Sequence, residues 1–192
     1  LGSIPFGFLL TKIFLKKDIR ETGSGNIGAT NVLRTGNKFL GYSTLLLDIL
    51  KAVLPIIYVK LNYPEFIYIC SLSVFLGHVF PIWLKFKGGK GVATYVGILI
   101  ILNYFLGIVF GIVWVITYLI SKYSSLGSIL GSLSVPIFIF FYSNDNIMFY
   151  FIMFILIFYT HRENVKRLIN KEETKTTVSY THLRAHETDR HL

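Results

Sequence analysis

Phe86-Lys87-Gly88-Gly89-Lys90-Gly91-Val92-Ala93-Thr94 interleaves three glycines with two lysines over five residues. Glycine frees the backbone for positive φ and for close approach to a ligand. Successive backbone N–H groups in such a loop can form an anion-binding nest, and Lys87 and Lys90 add positive charge. An uncharged run begins at Gly91, so the loop leads into a helix whose N-terminus also favours anions. The stretch is not a Walker A loop, because Lys90 is followed by Gly91 rather than Ser or Thr and Leu84 occupies the position of the opening glycine. The plain alternative is a basic turn between two membrane spans.

Two further polar clusters accompany it. Thr22-Gly23-Ser24-Gly25-Asn26-Ile27-Gly28-Ala29-Thr30-Asn31 precedes Arg34, and His161 to Leu168 follows the last apolar run. Ser24, Asn26, Thr30 and Asn31 supply neutral polar groups, and Arg34, Lys90 and Arg167 supply charge. His78 and His161 could act as acid, base or phosphate donor, a choice the residues leave open. Arg offers a planar fork for phosphate and Lys a point charge, so the set suits a phosphorylated substrate. Equally, Ser, Asn and Gly are ordinary loop residues, and basic residues at span ends set topology or touch lipid headgroups. Nucleophilic catalysis finds little support: there is no Gly-x-Ser-x-Gly elbow and the single Cys70 has no polar neighbours. No cluster outside the C-terminal tail has metal-ligand spacing.

The elements that must position these groups are membrane helices. The chain has 192 residues, 53% hydrophobic and 15% charged, with mean hydropathy +0.60, too apolar for a soluble domain. Leu1–Leu15 reads as the inner half of a first span, truncated at its start, because Leu1 already lies in an apolar run without an initiator Met. Phe39–Val59 and Phe66–Leu84 are the next two. Residues 91–121 carry no Asp, Glu, Lys or Arg, too long a run for one crossing of a ~30 Å core, so a break near Asn103 or Gly107 is expected. Leu126–Tyr142 and Ile147–Tyr159 complete seven spans, and His161–Glu173 is a short amphipathic exit. With the N-terminus outside and the C-terminus inside, the inner loops hold Arg20, Arg34, Lys38, Lys90, Lys122 and Arg167 among others. The outer loops hold only Lys60, as the positive-inside rule requires. The net charge of +9 therefore reflects inner loops rather than nucleic-acid binding.

Asp48 and Lys51 lie inside a span, three apart and on one helical face. Ionisable residues there are costly and raise a functional hypothesis, although a purely structural ion pair is the alternative. Residues 174–192 form a polar tail. Val178–Leu192 has no hydrophobic period, holds three of the five histidines and reads as foreign to the single domain spanning residues 1–173.

Three stretches together resemble the motifs of the bacterial acyl-phosphate:glycerol-3-phosphate acyltransferases, the PlsY family. They are Ser24-Gly25-Asn26-Ile27-Gly28-Ala29-Thr30-Asn31, Gly77-His78-Val79-Phe80-Pro81 running into Gly88–Thr94, and His161-Arg162-Glu163-Asn164-Val165-Lys166-Arg167-Leu168. Gly2-Ser3-Ile4-Pro5-Phe6-Gly7 and Leu47–Lys51 extend the match. Asn170-Lys171 departs from it, standing where a glycine often follows the third motif. The resemblance implies a multi-pass enzyme of the bacterial plasma membrane with its site on the cytoplasmic side. It would pass a fatty acyl group from acyl phosphate to the 1-hydroxyl of glycerol 3-phosphate, using no cofactor and neither acyl-CoA nor acyl-carrier protein as donor. Carried onto this chain, it implies Ser24, Arg34, Lys90, His161 and Asn164 as catalytic. It further implies Ser3, Asn26, Thr30, Asn31, His78, Gly88, Gly89, Gly91 and Ser128 as substrate- or phosphate-binding, with no metal.

Overall fold

The computed structural model describes residues 1–142 and 145–175 of the chain. The separated segment 178–192 lies outside these. Among the described residues there are helices and no strands. In chain order they are α1 (Phe6–Leu10, continued by a π-turn over Thr11–Leu15), the short α2 (Ala29–Leu33), α3 (Lys38–Asn62) and α4 (Ile67–Val79). Then follow α5 (Val92–Leu102), α6 (Tyr104–Ser121), α7 (Ser124–Tyr142), α8 (Ile147–Thr160) and α9 (Arg162–Ile169). Three helical stretches are long and apolar enough to cross a membrane: Pro64–Leu84, Tyr104–Ser121 and Ser124–Tyr142. Phe6–Leu15, Val92–Leu102 and Ile147–Thr160 are shorter apolar helices, and α3 is longer but interrupted by Asp48 and Lys51.

The expected break in residues 91–121 falls at Asn103. Its backbone is extended, with φ −157°, and its side-chain oxygen accepts from the Phe105 N–H to cap α6. An Asn in an apolar run does this because it can satisfy an orphan donor that no aliphatic neighbour can. The result is a short α5 of 11 residues and a full α6 of 18. Asn103 also donates to Asp145 at 2.7 Å, tying the break to the start of α8.

The core lies between α3, α4, α5, α7 and α8 around Phe75, Tyr95, Leu99, Tyr150 and Met153, all fully buried. The exposed apolar residues are spread over the outer faces of α3, α6, α7 and α8, as expected of helices facing lipid. Polar side chains within the helices bond back to their own turn: Thr44 to the Leu40 carbonyl, Ser71 to Ile67 and Ser128 to Ser124.

Glycines set the closest approaches. A Cβ on Gly97 of α5 would stand 2.7 Å from the Ile49 carbonyl of α3. On Gly7 of α1 it would stand 1.9 Å from the Ile27 carbonyl, so the loop before α2 rests on bare backbone of α1. Gly7→Ala must push that loop away and is expected to destabilise by about 1–3 kcal/mol. Gly111→Ala, where nothing lies within 4 Å of the new methyl, is expected to leave stability unchanged or slightly raised. Thermal unfolding of both variants in the same detergent checks the contrast; equal midpoints would refute the close-packed reading of Gly7.

Candidate active site

The loop of residues 85–91 folds back onto the end of α4. The Gly88 N–H donates to the Val79 carbonyl at 3.0 Å and the Gly89 N–H to the His78 carbonyl at 3.1 Å. These two amides are therefore not the free nest that the glycine spacing suggests. The glycines are needed for room instead. A Cβ on Gly88 would meet the His78 carbonyl at 2.2 Å, and one on Gly89 would meet His78 Nε2 at 2.1 Å. Positive φ occurs at Gly91 (84°), which starts α5, and at Lys85 and Phe86 (52° and 62°), where no glycine relieves it. The loop thus hands Lys90 to the head of α5 with its side chain turned inward.

Lys90 Nζ donates to Asn164 Oδ1 at the start of α9, and the Thr160 hydroxyl donates to the Lys90 carbonyl at 3.0 Å. Asn164 Nδ2 donates in turn to Glu173 Oε1 at 2.6 Å. That carboxylate also accepts from the Ser125 hydroxyl at 2.8 Å and from Arg167 Nε at 2.8 Å. Burial pushes the Glu173 carboxyl up, but the bonds from Arg167, Asn164 and Ser125 outweigh it and hold it below its ordinary value. Glu173 was read from sequence only as the end of the exit segment. A carboxylate reaching back from beyond a helix leaves no periodic signal.

His161 sits at the α8–α9 junction, 2% exposed. Its Nδ1 lies 2.8 Å from the Ile157 carbonyl, which can only accept, so Nδ1 carries the proton and Nε2 is left as a lone pair. Burial, and secondly the charge of Lys90, pull its pKa down to about 4, so the ring is neutral at pH 7.

The first polar loop is organised by Asn31, 2% exposed. Its amide donates to the carbonyls of Ile19, Thr22 and Asn26, and its oxygen accepts from the Ser24 N–H at 3.0 Å. Its hydrogen-bonding capacity is filled by the loop, so it shapes the site and leaves Ser24, Asn26 and Thr30 to face inward. Arg34, at the end of α2, reaches Thr174 at 2.9 Å.

These parts surround one cavity of about 480 Å³. Of the residues expected from sequence, Ser24, Asn26, Thr30, Asn31, Arg34, His78, Lys90, Gly91, Ser128, His161 and Asn164 all line it. Ser3, Gly88 and Gly89 do not. The Ser3 hydroxyl accepts from Trp83 Nε1 at 3.2 Å, outside the cavity. Arg167 also stays outside and acts on Glu173. Asp48, Ser125 and Glu173 join the wall.

The cavity has two characters. One end is the polar set just described. The other runs between α3, α5 and α6 past Leu45, Ile49, Val96, Phe110 and Val115, with Gly107 and Gly111 lowering the α6 side. Trp114 borders both, its Nε1 donating to the Ser128 hydroxyl at 3.2 Å. Such a shape holds an anionic head among cations and amides and an apolar tail among aliphatic side chains.

The sequence profile of the family described as glycerol-3-phosphate acyltransferase matches residues 1–171. The chain belongs to this family. A glycerol-3-phosphate acyltransferase of Pelagibacter ubique (strain HTCC1062) is 75% identical over 178 residues, covering 93% of each chain. One from Mesorhizobium japonicum is 48% identical over 176 residues, covering 91% of this chain and 90% of the relative. Among solved structures, the glycerol 3-phosphate form of PlsY, an integral membrane glycerol 3-phosphate acyltransferase, superposes with a TM-score of 0.84 at 35% identity. It covers 91% of this chain and 89% of that one. A lysophosphatidic acid form of PlsY superposes with a TM-score of 0.80. The chain is thus an all-helical, multi-pass membrane acyltransferase of lipid biosynthesis.

Lys90 is a cation of this site whose ionisation is displaced toward neutral pH. Burial lowers its pKa to about 8 against the pull of Glu173, with Arg167 and Arg34 lowering it further. It is an ammonium at pH 7 and loses its proton as pH rises through about 8. An anion binds the protonated form, so phosphate affinity is expected to fall above pH 8 and proton uptake to accompany binding there. Lys90→Arg keeps its charge and should flatten this limb. Calorimetric titration with inorganic phosphate from pH 6.5 to 9.5 checks it; a wild-type affinity constant up to pH 9.5 would refute it.

Proposed function

We propose that this acyltransferase moves a fatty acyl group from acyl phosphate to the 1-hydroxyl of glycerol 3-phosphate. The products are 1-acyl-glycerol 3-phosphate (lysophosphatidic acid) and phosphate, and the reaction opens phospholipid synthesis. The observation that carries the reading is the single cavity joining a cation-and-amide end to an apolar arm. Both substrates carry a phosphate and one carries a long tail, which matches that division. The glycerol 3-phosphate and lysophosphatidic acid forms of PlsY support the same substrate and product.

Mechanism follows from what the wall offers. Lys90, Arg34 and the head of α5 hold phosphate charge, and Ser24, Asn26 and Thr30 direct its oxygens. Ser128 already accepts from Trp114 and donates to the Ser124 carbonyl, which makes it a poor nucleophile. The reading therefore uses no acyl-enzyme. The 1-hydroxyl oxygen attacks the acyl carbonyl carbon, the carbonyl–phosphate C–O bond breaks, and its electron pair leaves on phosphate. The hydroxyl proton ends on that phosphate. His161 Nε2, a neutral lone pair, is suited to accept a hydrogen bond from a glycerol hydroxyl and hold it in line. Rate enhancement then rests on positioning two anions and stabilising the charge that develops between them.

The site faces the cytoplasm of the bacterial plasma membrane in this proposal, because the loops on its side, with Arg34, Lys90, Lys122 and Arg167 among their basic residues, are set against outer loops that hold only Lys60. No cofactor, acyl-CoA or acyl-carrier protein takes part, and residues 174–192 lie outside the catalytic domain.

Purified protein in nanodiscs, given glycerol 3-phosphate with either acyl phosphate or acyl-CoA, tests the reading. Phosphate and lysophosphatidic acid should appear together, one for one, and only with acyl phosphate. Equal use of acyl-CoA would sink the donor assignment. Lys90→Ala should lower kcat/KM by about 10²–10³-fold, the range for loss of one stabilising donor.

A further inference from the structure

Asp48 and Lys51 do not simply neutralise each other. Lys51 Nζ lies 2.7 Å from Asp48 Oδ1, and both side chains are at most 3% exposed. The same nitrogen donates to the Ile4 carbonyl at 2.8 Å and sits 2.8 Å from His78 Nδ1. The Phe6 ring lies 5.8 Å from it, a placement that favours a cation. Three partners surround an ammonium that has three hydrogens and no lone pair.

We infer that Lys51 is a positioning residue that fixes the tautomer of His78, so that the imidazole presents a donor Nε2–H at the Gly88-Gly89-Lys90 loop. Because an ammonium cannot accept, His78 Nδ1 must hold the lone pair, and the single ring proton of the neutral imidazole goes to Nε2. That edge lies against Gly89, where the Cα must be bare for the ring to fit, and His78 reaches the cavity wall beside Lys90. The two histidines of the site are thereby given opposite tautomers. His161 offers a lone pair at Nε2 and His78 offers a hydrogen. An anion meeting His78 is met by N–H, and a proton meeting His161 is met by nitrogen.

Asp48 makes the arrangement sensitive to Lys51. Its Oδ1 stands 3.8 Å from His78 Nδ1. With Lys51 in place the carboxylate faces the ammonium. Without it, the carboxylate offers an acceptor for a proton on Nδ1, and the favoured tautomer reverses. His78 would then turn a lone pair toward substrate phosphate.

The test uses the full chain in nanodiscs with ¹⁵N-labelled histidine, His78 being assigned by the signals lost in His78→Asn. In wild type, His78 should show a bare Nδ1 and a protonated Nε2. In Lys51→Met, Nδ1 should gain the proton, and KM for glycerol 3-phosphate should rise about tenfold with a smaller change in kcat. Lys51→Arg, which keeps a donating cation, should keep the wild-type tautomer and recover most of the affinity. The KM half rests on the acyltransferase reading above and the tautomer half does not, so failure of one is distinguishable from failure of the other. A wild-type His78 protonated at Nδ1 overturns the inference. So does a Lys51→Met protein whose His78 signals are unchanged, whatever its activity. A reversed tautomer with unchanged KM overturns the binding role. Where Lys51→Met fails to fold, the wild-type spectrum decides, together with Asp48→Asn, in which Lys51 still donates to His78 and the tautomer should persist.

Discussion

The site hangs on the link from Lys90 through Asn164 to the Glu173 carboxylate. Two stretches far apart in the chain meet there, and each arrives with charge or polar donors. Lys90 and Arg167 are alike in sign and would repel at close range. Glu173 lets them share one region, taking Arg167 directly and Asn164 as an intermediary to Lys90. Because this happens at the edge of an apolar phase, each contact is stronger than in water and each missing one costs more. Fold and site are therefore not separable here: removing the carboxylate would leave Ser125, Asn164 and Arg167 without their shared acceptor.

Much of this was legible in the residues. The break at Asn103 could be anticipated because thirty-one uncharged residues cannot cross as one helix, and a side chain able to cap is where such a run yields. The convergence of the three polar clusters could be expected from the common side that the seven-span reading assigns them. What sequence could not give was the partner of each group. Asp48 and Lys51 pair by helical spacing, yet their link to His78 crosses from α3 to α4, and spacing within one helix is silent about its neighbour. Asn31 lines the cavity and also holds its own loop through its amide, a second task that residue type alone does not announce.

The glycine-rich loop shows the same limit from the other direction. Its composition suggested open amides, but the amides of Gly88 and Gly89 close onto the end of α4. The bareness of these residues is used on the Cα side, where His78 packs. Glycine admits both uses, and only the geometry tells them apart. The backbone cost appears instead at Lys85 and Phe86, held in the left-handed region just before the loop turns inward.

The buried ion pair of α3 also bears on how the chain enters its membrane. A helix offered alone to a bilayer must bring its charges with it, and one unpaired carboxylate or ammonium near the centre weighs heavily against insertion. Asp48 and Lys51 stand a single turn apart on the same segment, so α3 can travel as a neutral dipole before α4 exists to receive it. His78 and the Ile4 carbonyl can then dock onto a group already in place. Assembly order and catalytic geometry would in this way be written into the same two side chains during synthesis.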